Sequence, residues 1–135
     1  MSRQRTDAFF LAIPEGSRAV VLEDDGVVGW AYLHDSGSVV SDVWLYNVGE
    51  DPDEVEVRGS SDLPPQNPRA FCSARRLPRL TREMAIRCSW FSGGVVRVFV
   101  DGRLWAELRV GCKPGWSVGA AQANQVARPL SEILD

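Results

Sequence analysis

Apolar and polar residues alternate along two stretches of this chain, and turn residues cut each stretch into strand-length pieces. In the first stretch, 18–23, 27–34 and 39–47 follow the two-residue period of a strand with one buried face. Asp24-Asp25-Gly26 and Asp35-Ser36-Gly37 separate them, and Asp/Gly pairs supply the positive φ that tight hairpins require. An apolar segment at 8–13, ended by Pro14, predicts one more strand ahead of these. The second stretch predicts strands at 84–91, 95–99 and 103–110, joined by Ser92-Gly93-Gly94 and Val100-Asp101-Gly102. The expected fold class is all-β and mainly antiparallel: two β-meanders forming a sandwich, a barrel or one strongly curved sheet.

The connection 48–80 reads differently. It holds five of the eight prolines, which remove backbone donors and fix φ, so neither helix nor central strand can run through it. Within it, 54–58 allows a short edge strand. After the second meander, 117–128 is rich in Ala and Gln and allows a short helix stopped by Pro129.

Strand periodicity in the second meander places Met84, Ile86, Cys88, Trp90, Val96, Val98, Leu104, Ala106 and Leu108 on one face. The other face collects Arg87, Ser89, Arg97, Phe99, Arg103, Trp105, Glu107 and Arg109. A three-residue Ser92-Gly93-Gly94 loop sets Ser89 beside Arg97 and Arg87 beside Phe99. A three-residue loop at Val100-Asp101-Gly102 pairs Phe99 with Arg103 and Arg97 with Trp105, and is preferred to a two-residue turn because it keeps the faces consistent. Guanidinium beside indole is the composition of interface hot spots. Arg97, Trp105 and Arg103, ringed by Arg87, Arg109 and Phe99, are therefore the candidate partner-binding residues.

The segment 41–47 offers an alternative. Asp42, Trp44 and Tyr46 share a strand face, and Trp30 and Tyr32 stand on the neighbouring strand, so these five residues line either a shallow ligand groove or the second layer of a core. The lone histidine, His34, and Cys112, beside Lys113, are the nucleophilic chemistry within reach of such a groove. Glu50-Asp51-Pro52-Asp53-Glu54-Val55-Glu56 lacks the spacing of a calcium loop, and the three cysteines lack metal-ligand spacing, so no metal or cofactor is expected.

Charge sharpens the picture. Residues 1–62 carry thirteen acidic and four basic side chains, a net of −9, whereas 63–135 carry five and eleven, a net of +6. Such a chain folds its halves together, pairs with a second copy, or meets a charged partner. The acidic 50–56 run and the basic cluster Arg75, Arg76, Arg79 and Arg82 are expected to neutralise one another, within a chain or across a dimer. A pI near 5.2 argues against nucleic acid. No apolar run approaches membrane-spanning length, and three unpatterned cysteines suit reduced thiols, so the chain reads as cytoplasmic.

Asp42-Val43-Trp44-Leu45-Tyr46-Asn47, followed far downstream by Lys113-Pro114-Gly115-Trp116, resembles the pattern of small uncharacterised bacterial proteins. The likeness implies no function and no site residue. The residues themselves point to a non-enzymatic protein-binding module of the immunity or adaptor kind. A small-molecule binder or enzyme around Trp44 is the rival, and a salt-bridged homodimer is a third reading.

Overall fold

The structure is a computed structural model, and it describes residues 8–55 and 64–134. Two sheets, each with its strands in sequence order, pack face to face. The first contains β1 (Phe9–Glu15), β2 (Arg18–Asp24), β3 (Val28–Asp35) and β4 (Ser38–Asn47), all antiparallel. The second contains β5 (Ile86–Phe91), β6 (Val95–Val100), β7 (Arg103–Arg109), β8 (Trp116–Ser117) and β9 (Arg128–Pro129). Only its β8–β9 pair is parallel. The arrangement is a sandwich rather than a closed barrel. Among the described residues no helix is long and apolar enough to cross a membrane.

Both expected meanders are present, with three local departures. β1 continues through Pro14 to Glu15, which an edge strand permits because its outward side needs no ladder donor. The expected helix at 117–128 is absent. Its backbone is committed elsewhere: Trp44 N–H donates to the Val126 carbonyl at 2.9 Å, Ser73 N–H to Gly119 at 2.7 Å, and Ala121 N–H to Phe71 at 2.8 Å. Those tertiary bonds outweigh the modest helix propensity of Ala and Gln. In the expected edge strand at 54–58, Glu54 and Val55 belong to no strand and 56–58 lie outside the described residues.

Val20, Leu22, Ala31, Leu33 and Val43 of the first sheet face Val96, Val98, Val100, Ala106 and Leu108 of the second. Two register shifts reshape this core. In β3–β4, Trp30 opposes Trp44 but Gly29 opposes Tyr46, so Leu45 is an extra residue and Tyr46 turns inward. Its ring lies directly over Gly29, where any Cβ would collide with it. In β6–β7, Asp101 and Gly102 both take positive φ, 51° and 80°, forming the two-residue turn with Val100 opposite Arg103. Phe99 then opposes Leu104 and Val98 opposes Ala106, leaving Trp105 as the extra residue. Trp105 is 4% exposed and meets Tyr46 edge-on, centroids 6.5 Å apart.

The proline-rich connection forms a partial third layer over the outer face of the first sheet. Trp30 Nε1–H donates to the Pro65 carbonyl at 3.1 Å, and Trp44 Nε1–H to Asn47 Oδ1 at 2.8 Å. Asn47 in turn donates to the Asn67 carbonyl and to Asp51 Oδ1, each at 2.8 Å. The connection also settles much of the charge within the chain: Arg76 pairs with Asp51 at 2.7 Å and Arg69 with Asp53 at 3.0 Å.

Candidate functional site

The outer face of the second sheet carries one continuous row across all five strands. Ser89 opposes Arg97, Arg97 opposes Glu107, Glu107 opposes Trp116, and Trp116 opposes Arg128. Opposed residues share a face, so these side chains are neighbours. Beside this row lie Phe91, Val95 and Arg109, and on its other flank Arg87, Phe99 and Leu104.

Glu107 is the hinge of the electrostatics. Its carboxylate is 1% exposed and accepts Arg97 Nε–H at 2.8 Å on Oε1 and Arg109 Nε–H at 2.6 Å on Oε2. Burying a carboxylate demands such charged donors. The two arginine side chains remain 33% and 38% exposed. Among the described residues their terminal amino groups make no other hydrogen bond. The Arg109 guanidinium lies 4.4 Å from the Trp116 ring centre, Arg128 lies 5.0 Å from it, and Arg97 lies 5.9 Å from Phe91. Trp116 also donates to Glu132 Oε1 at 3.3 Å. Cation–π contacts of this kind contribute about 0.5–1 kcal/mol each at exposed positions. They also hold the guanidiniums in place, so a partner need not immobilise them.

The structure divides the expected partner-binding residues. Arg87, Arg97, Phe99 and Arg109 stand on the outer face. Trp105 does not: the bulge turns it into the core. Arg103 opposes the buried Val100, so it belongs to the inward-facing row at the end of the sandwich, where it is exposed. The preferred three-residue loop and its Arg97–Trp105 pair are thereby corrected to a two-residue turn and an Arg97–Glu107 pair. The indole among arginines exists, but it is Trp116, on a two-residue strand too short for periodicity to reveal. Its spacing from Arg128 is set only by the parallel β8–β9 pairing.

The alternative groove is corrected as well. Trp30, Trp44 and Tyr46 are 5%, 2% and 2% exposed and belong to the core, and Tyr46 lies on the opposite face from Trp44. Tyr32 and Asp42 are half-buried, with Tyr32 stacked on Trp30 and edge-on to His34. Burial raises the Asp42 carboxyl, partly offset by Lys113. Among the described residues no hydrogen bond joins His34 to Cys112, whose carbonyl accepts Ser41 Oγ–H at 2.5 Å. Burial pushes the Cys72 and Cys88 thiols up to about 12, which keeps both protonated at neutral pH. No group of three His, Cys, Asp or Glu among the described residues is arranged to hold a metal ion.

No protein-family model, curated protein or solved structure matches the chain.

Proposed function

We propose that this chain is a non-enzymatic bacterial protein-binding module, of the immunity or adaptor kind, working in the cytoplasm. Its partner presents acidic side chains to the outer face of the second sheet. The observation that carries this reading is the two-to-one Arg97–Glu107–Arg109 triad, which leaves a net positive charge and unspent guanidinium donors on a pre-ordered surface. Arg87 and Arg128 extend it, and Phe91, 50% exposed, adds an apolar anchor. The net −9 carried by residues 1–62 disfavours a long polyanion, whereas a folded protein with a local acidic patch need meet only this face. The three free cysteines suit a reducing compartment.

The test is capture from nuclease-treated lysate on immobilised protein, alongside the Arg87→Ala/Arg128→Ala variant, which leaves the Glu107 pairs intact. An acidic protein that survives nuclease, is released by high salt and is lost with the variant is the expected result. Retention that the variant does not alter, or no retained protein, overturns the reading.

A further inference from the structure

A sandwich of two open sheets has four edges, and three of them here are covered, short or blunted by proline. β1 runs unbroken from Phe9 to Glu15 but carries Pro14, which has no backbone donor to offer an incoming strand. The outer edge of β4 is occupied, with Gly111 N–H donating to Val40 at 2.8 Å, Gly115 N–H to Asp42 at 2.7 Å, and Trp44 N–H to Val126 at 2.9 Å. β9 is two residues long and runs straight into a 3-10 turn at Leu130–Glu132. The fourth edge, β5, is six residues long with neither proline nor bulge. Among the described residues its backbone hydrogen bonds go only to β6. Edges of this sort pair readily with another chain.

The packing around β5 is also incomplete. Val96, Val98 and Val100 on β6 are 0–2% exposed, whereas Ile86, Cys88 and Trp90 on the same inner face of β5 are only half-buried. Between β5 and β1 opens a cleft of about 380 Å³, walled by Phe9, Leu11, Met84 and Ile86 with Arg82 at its lip. Arg82 and Arg87 flank the edge together with Glu83 and Asp101, the latter accepting Ala85 N–H at 2.8 Å, and Arg97 stands one strand further in.

We propose that β5 accepts an extended acidic segment of the partner as a sixth strand. Its alternate apolar side chains enter the cleft, and its acidic ones face Arg87 and Arg97. Strand addition of this kind takes affinity from main-chain bonds and specificity from alternate side chains. Charge favours an acidic partner over a second copy, since edge-to-edge pairing of two copies brings two arginine faces together. This proposal rests on the partner reading above, and it adds the mode of engagement.

The probe is a capped peptide of alternating Val and Glu, about ten residues long to span a strand, compared with polyglutamate of equal charge. The alternating peptide is expected to bind at least roughly tenfold more tightly and to slow hydrogen exchange at alternate β5 amides. Arg87→Glu is expected to abolish that preference without loss of folding. Equal binding of both probes with unchanged β5 exchange overturns strand addition while leaving the arginine face in place. Binding of neither probe overturns strand addition, and the capture experiment then judges the face separately. Concentration-dependent dimerisation that protects β5 without peptide assigns the edge to a second copy and overturns the proposal.

Discussion

Asp24 and Glu107 are both buried carboxylates bound by arginine, yet they do opposite things. Asp24 faces the interior, 0% exposed, and receives Arg79 through two bonds of 2.9 and 2.8 Å and the Tyr46 hydroxyl at 2.5 Å. Tyr46 in turn accepts Leu80 N–H at 2.9 Å. There the Arg79 guanidinium grips the carboxylate through two bonds, and the cluster ties the connection to the first sheet. Glu107 faces outward under two guanidiniums, each held by a single bond. The number of guanidiniums on the carboxylate separates the two: Asp24 is a lock, gripped through two bonds by Arg79, whereas Glu107 is shared by Arg97 and Arg109, the arrangement on which the proposed docking surface rests.

The largest effect expected from breaking this comparison is on the lock. Arg79→Leu leaves Asp24 buried without its ion pair and should cost about 3–5 kcal/mol, measured by chemical denaturation. Tyr46→Phe removes the acceptor for Leu80 N–H and a donor to Asp24 and should cost about 1–3 kcal/mol. At the outer triad, Arg97→Ala leaves Glu107 still paired with Arg109, so the loss should be smaller, about 1–2 kcal/mol. A loss at Arg97 as large as that at Arg79 would make the triad a second lock. Arg87→Ala should change stability by under about 0.5 kcal/mol while weakening partner capture.

The smallest effect concerns Asp42, whose carboxyl burial raises. A carboxyl raised in the folded state binds more protons folded than unfolded, so stability declines as pH climbs from the ordinary aspartate value of 3.8 through the folded value. Asp42→Asn should therefore raise the melting temperature by about 1–2 °C at pH 7. The gain should disappear below pH 3.8. An unchanged difference across that range would show that the carboxylate is not what strains the site.

How much of this was legible from the chain depends on where side chains find their partners. The Ser89–Arg97 and Arg87–Phe99 pairs follow from a three-residue Gly-rich loop, and the structure has both. Of the expected neutralisation between acidic 50–56 and Arg75, Arg76, Arg79 and Arg82, the structure has the Asp51–Arg76 pair, whereas Arg79 is drawn to Asp24. Trp105 and Tyr46 were not readable. Trp105 is itself the extra residue of its bulge and Tyr46 sits beside one, and a one-residue slip sends every later side chain to the other face until it is absorbed. The two misplaced aromatics then pack against each other.

The sequence by itself determined the seven strands β1–β7 and most of the turns between them, because alternation and Asp/Gly hairpins act over a few residues. It also determined that opposite charges were segregated along the chain. Tertiary structure alone decided where the bulges fall, since only the fit of Tyr46 over Gly29 and against Trp105 selects them. It decided that the 117–128 backbone bonds to β4, β7 and the connection in place of a helical ladder. It also decided that Trp116, and not Trp105, lies among the arginines, because a two-residue strand has no period and takes its face from the neighbours that pair with it.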